Sequence, residues 1–116
     1  MPQQSDDNDL TITTVSAGAV ASVIVAGEVD ITNAAQLSGA GRSALESNPA
    51  ELVFDLTAVT FMDSSGLGHL VRVLHAARPV PVRVLVTHPS LLRLFDITGL
   101  LGAFDVQHVT AAPSTP

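Results

Sequence analysis

The residues of this chain best suited to chemistry form one short run, Asp63-Ser64-Ser65-Gly66-Leu67-Gly68. The run places a carboxylate and two hydroxyls between a short apolar segment of strand length and a segment with helical periodicity. Open α/β sheets usually carry their sites at such a junction. An aspartate or serine there is also an ordinary helix cap, while an exposed serine hydroxyl is a potential nucleophile. The residue types alone leave both uses open.

Two glycines in this run, Gly66 and Gly68, fall at the start of the expected helix. Each costs up to ~1 kcal/mol relative to alanine in a helix. The pair therefore predicts that some group approaches the helix backbone closely at this point.

Known catalytic and cofactor motifs do not fit the run. Met62 and Asp63 stand where the nucleophile elbow requires glycine. Val71 stands where the dinucleotide fingerprint requires its third glycine, and the chain has no lysine for a phosphate-binding loop of the Walker type. No general base is positioned in the sequence beside a serine. We therefore expect no catalytic residue and no cofactor.

The composition excludes further classes of function. The chain has no cysteine, which excludes a disulfide framework and a thiolate metal site. Its four histidines, at positions 69, 75, 88 and 108, lack the spacing of a ligand pair, so no metal site is expected. Eleven acidic residues face five basic ones, all arginine, for a net charge of -6. Because tryptophan and tyrosine are also absent, we expect no direct binding to nucleic acid.

The longest nearly apolar run, Ala19 to Gly27, has about half the length that a membrane-spanning helix needs. The N-terminal residues 1–9 are polar and acidic, unlike a signal peptide. We therefore expect a cytoplasmic protein without a membrane partner.

The hydrophobic pattern changes period along the chain and predicts an α/β domain over residues 10–110, between flexible tails at 1–9 and 111–116. The expected strands cover 10–16, 20–26, 51–56, 80–86 and 104–109, and the expected helices cover 32–47, 67–77 and 90–96. The first two strands form a hairpin around Ala17-Gly18. The later strands alternate with helices, which indicates parallel pairing. The predicted fold is a small mixed sheet covered by about three to four helices.

The helix ends carry specific signals. Thr32 or Asn33 is the expected cap of the first helix, and Pro89 after Thr87 or His88 opens the third. Gly99 is expected to close that third helix. The apolar stripe of the first helix comprises Ala34, Leu37, Gly41, Ala44 and Leu45, and that of the second comprises Leu67, Leu70, Val71, Leu74 and Ala77.

Three motifs together resemble a known family. Phe61 to Gly68, following Leu52 to Leu56, resembles the signature of STAS domains and, more closely, that of bacterial anti-sigma factor antagonists. Gly27-Glu28-Val29-Asp30 is similar to the family's Gly-Glu-Leu-Asp, and Phe95 to Leu100 is similar to its Phe-x-Ile-Thr-Gly-Leu. The resemblance spans roughly residues 10–108, nearly all of the expected domain.

The resemblance implies a protein switch rather than an enzyme. Members of this family bind an anti-sigma factor that is also a serine kinase, and binding frees a sigma factor. The kinase phosphorylates the serine after the motif aspartate, which is Ser64 here, and a serine phosphatase reverses the step. The preference for Ser64 over Ser65 rests on the resemblance. By the same resemblance, the expected partner-binding residues are Asp63, Ser65, Gly66, Leu67 and Asp30.

A phosphate on Ser64 would add about -1.5 to -2 charges at a helix N-terminus, where the dipole and free N–H groups favour an anion. We therefore expect phosphorylation to act at the partner interface with little refolding.

Three other interpretations stay open at this point. The chain could be a STAS protein without phosphorylation, such as a scaffold, a ligand sensor or an accessory subunit of a lipid transporter. It could be a small enzyme that uses Ser64 as its nucleophile. It could also be a detached copy of the module found in anion transporters.

Overall fold

A computed structural model describes residues 10–110, so both predicted tails lie outside the described residues. One five-stranded sheet has its strands in sequence order, β1-β2-β3-β4-β5. The strands β1 to β5 span Thr11–Ala17, Val20–Val29, Glu51–Met62, Val82–Val86 and Val106–His108. The helices α1, α2 and α3 span Ala35–Leu45, Ser64–Ala77 and Pro89–Ile97.

The pairing of the strands confirms the predicted mixed sheet. β1 and β2 form an antiparallel hairpin, and β2, β3, β4 and β5 pair in parallel. Gly18 lies at the hairpin turn with φ +62°, in the left-handed region that glycine adopts without a steric penalty. Three helices are present in the described part of the chain, at the lower end of the expected number.

The core lies on one face of the sheet. The register places Val23, Phe54 and Val84 side by side, and all three are fully buried. They belong to one cluster with buried residues from each of the three helices, which include Leu37, Leu70 and Phe95. Ile24 and Asp55, which face each other on β2 and β3, point to the opposite face, where Ile24 is exposed. The helices therefore cover a single face of the sheet.

The first helix begins later than the sequence predicts, and the expected cap was wrong. Its N-cap is Ala34, which makes no side-chain capping bond. The Asn33 side chain instead donates to the carbonyl of Glu28 and accepts from the Asp30 amide, at 2.9 Å each. Thr32 bonds to the Asp30 carboxylate. Both polar side chains are used by the preceding loop, so neither is available to α1, which also ends at Leu45 rather than at residue 47.

Strand lengths also differ from the prediction. β2 continues through Gly27 to Val29, and β3 continues to Met62, because the two strands stay paired across two register shifts. β4 begins two residues later than expected, at Val82, and β5 covers three residues. Pairing with a neighbouring strand sets these limits, and a single segment's periodicity carries no information about it.

The packing of α2 follows the predicted stripe in part. Leu67, Leu70 and Ala77 are buried as expected, but Val73 is buried while Val71 and Leu74 keep partial exposure. The reason is α1, which approaches so closely that a Cβ added at Gly41 would lie 2.8 Å from a Val73 methyl. The face of α2 toward α1 is therefore part of the core. The ends of the third helix agree with the prediction. His88 is its N-cap, and Gly99, with φ +75°, follows its C-terminal end.

Candidate functional site

The C-terminal ends of β2 and β3 lie side by side at one end of the sheet and bring two loops together. The Asp63 amide donates to the carbonyl of Val29 across 3.2 Å, which joins the start of α2 to the end of β2. Asp30 follows Val29 directly. The two expected site aspartates, 33 residues apart in sequence, therefore lie on adjoining strand ends because β2 and β3 are parallel neighbours.

Asp63 is the N-cap of α2. Its backbone is extended, with φ -100° and ψ -175°, and its Oδ1 accepts from the amides of Ser65 at 2.9 Å and Gly66 at 3.4 Å. The carboxylate thus satisfies two of the N–H groups that a helix start leaves without intrahelical partners. Two of the N–H groups expected to be free for a phosphate on Ser64 are therefore occupied by Asp63.

The structure distinguishes the two serines, which the residue types could not do. Ser64 is exposed, whereas Ser65 is half-buried. Within residues 10–110, neither hydroxyl forms a hydrogen bond, and the exposed Ser64 Oγ is accessible to another protein. Ser64, Gly68 and Arg72 are all exposed and follow one another at four-residue intervals, which places them along one ridge of α2. We call these three residues the α2 ridge.

The two glycines have different surroundings. A Cβ added at Gly66 would lie 2.7 Å from both Met62 Cγ and Val29 Cγ1. The close approach predicted for Gly66 is therefore made by the protein's own side chains, which seat α2 on the ends of β2 and β3. A Cβ at Gly68 would meet no heavy atom within 4 Å. Nothing in the described chain accounts for a glycine there.

Of the expected partner-binding residues, Leu67 and Gly66 are buried, and Leu67 is only 5% exposed. Both belong to the packing that positions the site, and neither offers accessible surface. Asp63, Ser65 and Asp30 keep partial exposure. The accessible part of the site therefore comprises Ser64, these three residues and the rest of the α2 ridge.

The loop after β2 holds Asp30 in a fixed orientation. Its Oδ1 accepts from the Thr32 hydroxyl at 2.6 Å and from the Thr32 amide at 2.9 Å, while its carbonyl accepts from the amide of Ala34 at 2.8 Å. The hydrogen bond from the Thr32 side chain, followed by that from the Thr32 amide, holds the pKa of Asp30 below its ordinary value of 3.8. Asp30 is therefore ionised at neutral pH and contributes a negative charge beside the start of α2.

Two exposed apolar side chains at this end of the sheet were not among the predicted partner-binding residues. Ile31 is 79% exposed in the loop after β2, and Phe61 is 48% exposed near the end of β3. A large apolar residue next to the polar residues of a loop was the available signal for Ile31. No sequence signal indicates that Phe61 is exposed, because a phenylalanine is an ordinary residue in a strand. Its position opposite Glu28 follows only from the strand register.

Other polar groups are used within the fold. His69 Nδ1 lies 3.0 Å from the Ser38 hydroxyl between α1 and α2, and His88 Nδ1 accepts from the Ser90 amide as a cap. Among residues 10–110, no cluster of three or more histidine, aspartate or glutamate side chains could hold a metal ion. In the same part of the chain, no helix is both long and apolar enough to cross a membrane.

Comparison with known proteins adds to this geometry. The family model described as "STAS domain" matches residues 11–112. The anti-sigma-B factor antagonist of Listeria monocytogenes is 34% identical over 89 residues, which cover 75% of this chain and 78% of that protein. The anti-sigma-F factor antagonist RsfB of Mycobacterium tuberculosis is 38% identical over 63 residues, covering 54% and 52% of the two chains.

Solved structures agree with the observed fold. An anti-sigma factor antagonist from Mycobacterium paratuberculosis superimposes with a TM-score of 0.81 at 28% identity, covering 93% of this chain and 92% of that one. The phosphorylated form of SpoIIAA from Bacillus superimposes with a TM-score of 0.64 at 20% identity, covering 87% and 93%, which supports the fold alone. The family model covers nearly every described residue, and this chain therefore belongs to the STAS domain family.

Proposed function

We propose that this protein is an anti-sigma factor antagonist that is switched by phosphorylation of Ser64. In this proposal it binds an anti-sigma factor with serine kinase activity and so frees a sigma factor for transcription. The accessible Ser64 hydroxyl at the capped start of α2 is the observation that carries the assignment. The names of its relatives, which are anti-sigma factor antagonists, support it.

The proposed contact surface is the start of α2 together with the loop that holds Asp30. Ser64 and Gly68 are exposed there, and Asp63 fixes the helix start. The ionised Asp30 and the net charge of -6 favour a partner whose docking face carries basic residues. Ile31, the most exposed large apolar residue of this edge, supplies an apolar contact at the border of the same surface.

Phosphorylation is proposed to release the partner through charge. The phosphate adds about -1.5 to -2 charges beside Asp63 and Asp30. Because Asp63 already occupies the amides of Ser65 and Gly66, the phosphate gains little from these two groups and stays on the surface. Desolvating that dianion against a partner without a matching cation costs several kcal/mol. Since about 1.4 kcal/mol corresponds to a tenfold change in affinity, this is sufficient for release.

The fold itself is expected to survive the modification. The cap bonds of Asp63 and the packing of Gly66 against β2 and β3 do not involve the Ser64 side chain. The switch is therefore local, with a serine phosphatase restoring the binding form. Since sigma factors and ATP are found in the cytoplasm, the proposal places the exchange there, and the protein acts as a substrate and ligand rather than as an enzyme.

The test is intact-mass spectrometry after incubation with ATP and each candidate anti-sigma kinase of the same genome. We expect one added phosphate on the unaltered protein and on Ser65→Ala, and none on Ser64→Ala. Ser65→Ala is the matched control because it removes the neighbouring hydroxyl on the same helical turn. Absence of phosphate with every kinase would overturn the proposal and favour an adaptor without phosphorylation. A phosphate lost only in Ser65→Ala would move the switch to that residue.

A further inference from the structure

The β1 strand forms a free edge of the sheet. Within residues 10–110 it is the outermost strand, and it pairs with β2 along its whole length, from Thr11 opposite Ala26 to Ala17 opposite Val20, without a register shift. Six of its seven residues are exposed, and Ile12 is the exception. The helices therefore leave most of this edge open to solvent.

The backbone groups on the free side can be identified from the register. Gly18 and Ala19 form a two-residue turn, and the pair that flanks such a turn is hydrogen-bonded. Hydrogen-bonded and non-hydrogen-bonded pairs alternate along antiparallel strands. Ile12, Thr14 and Ser16 therefore direct their N–H and C=O groups away from β2, toward the free side.

Within residues 10–110, the sequence and register of β1 lack the features that usually prevent two sheets from joining. Natural edge strands are commonly protected by charged side chains, proline, bulges or short length. No charged residue and no proline occurs anywhere from Leu10 to Gly27, although the chain carries a net charge of -6. The opposite edge differs, because β5 has three residues and Asp105 beside it forms an ion pair with Arg83.

We propose that β1 pairs with β1 of a second copy, antiparallel and about a two-fold axis at Thr14, to give a dimer with one continuous sheet. A second copy fits because the edge is complementary to itself. Thr14 would face Thr14 of the other copy, and Ile12 would face Ser16, so all the outward N–H and C=O groups find partners. The absence of charge lets two acidic molecules meet along this edge without opposing like charges.

The same pairing covers apolar surface that is exposed in the monomer. Thr13 and Val15 would form non-hydrogen-bonded pairs across the interface, in which side chains approach more closely. Val15 is 44% exposed in the single chain and would pack against Thr13 of the other copy. Ser64 begins α2 beyond the end of β3, and β2 separates β3 from β1. The dimer therefore leaves the proposed phosphorylation site accessible.

The test is sedimentation velocity on the whole protein from micromolar to millimolar concentrations. We expect a concentration-dependent equilibrium of monomer and dimer. Thr14→Lys and Thr14→Glu each oppose like charges at the two-fold axis and should weaken self-association by roughly fivefold. An equimolar mixture of the two variants should restore it, because opposite charges then face each other. Gln107→Lys, an exposed site on β5 with the same charge change as Thr14→Lys, is the control and should leave the equilibrium unchanged.

Thr14→Pro gives a larger perturbation, since proline removes an outward N–H group and is tolerated on an edge strand. We expect it to abolish the dimer, with folding checked by circular dichroism. The proposal is overturned if the unaltered protein stays monomeric at every concentration. It is equally overturned if the mixture of lysine and glutamate variants associates no better than either alone. These results are independent of the mass measurement on Ser64, so this inference and the proposed function can fail separately.

Discussion

Replacing Gly68 by alanine should stabilise the protein while weakening its proposed partner complex. Gly68 lies exposed within α2, and an added Cβ would meet no heavy atom within 4 Å. The substitution therefore gains helix propensity and loses no packing, which amounts to about 0.4–1 kcal/mol. In a domain of this size each kcal/mol raises the melting temperature by about 4–8 °C. The expected increase is thus a few degrees, measured by circular dichroism.

The effect on binding has the opposite sign. If the partner packs over the α2 ridge, the new methyl group enters a filled interface. Overpacking of that kind costs about 1–3 kcal/mol, which corresponds to a roughly 5- to 150-fold loss of affinity. Isothermal titration of the unphosphorylated protein with its anti-sigma factor measures this loss directly.

Gly39→Ala is the matched control for both measurements. Gly39 is exposed within α1, and a Cβ there would also meet nothing within 4 Å. It should raise the melting temperature by a similar amount and leave the affinity unchanged. A lower melting temperature for Gly68→Ala would refute the assignment of open space around Gly68. Equal affinities for the two variants would refute close approach of the partner at the α2 ridge.

Two further predictions concern the site's aspartates. Asp63→Ala removes the cap of α2 and should lower the free energy of unfolding, measured by urea titration, by about 0.5–2 kcal/mol. Asp63→Asn keeps a capping oxygen and should retain most of that stability. Equal losses in the two variants would contradict the capping role. The lowered pKa of Asp30 means that its carboxylate stabilises the fold above pH 3.8 and that this contribution disappears as pH falls below that value. The difference in melting temperature between the unaltered protein and Asp30→Asn should therefore shrink on acidification, and a constant difference would show that the Thr32 bonds do not favour the ionised form.

Local residue patterns were sufficient to place several of the helices and strands. The alternating pattern of β1, the apolar β-branched run of β2, the helical stripe of α2 and the glycine at position 99 all predicted their elements. Polar residues near helix ends were less informative. Thr32 and Asn33 have the right chemistry for capping α1, but their hydrogen bonds go to Asp30 and Glu28. When a polar side chain could bond either to the helix or to the preceding loop, the path of the loop decides which bond forms. That path depends on how β2 pairs with β3.

The sequence by itself determined the family motifs, the class of fold and the position of the Asp63-Ser64-Ser65 run at a strand-to-helix junction, because each of these depends on residues close together in the chain. The tertiary structure decided which residues act on that junction. Parallel pairing of β2 with β3 placed Asp30 beside Asp63, put Val29 and Met62 against Gly66, and left Gly68 open. Exposure of Ser64 and of the β1 edge likewise depends on which face the helices cover. These features depend on contacts between residues that are far apart in the sequence, so no local pattern of residue types predicts them.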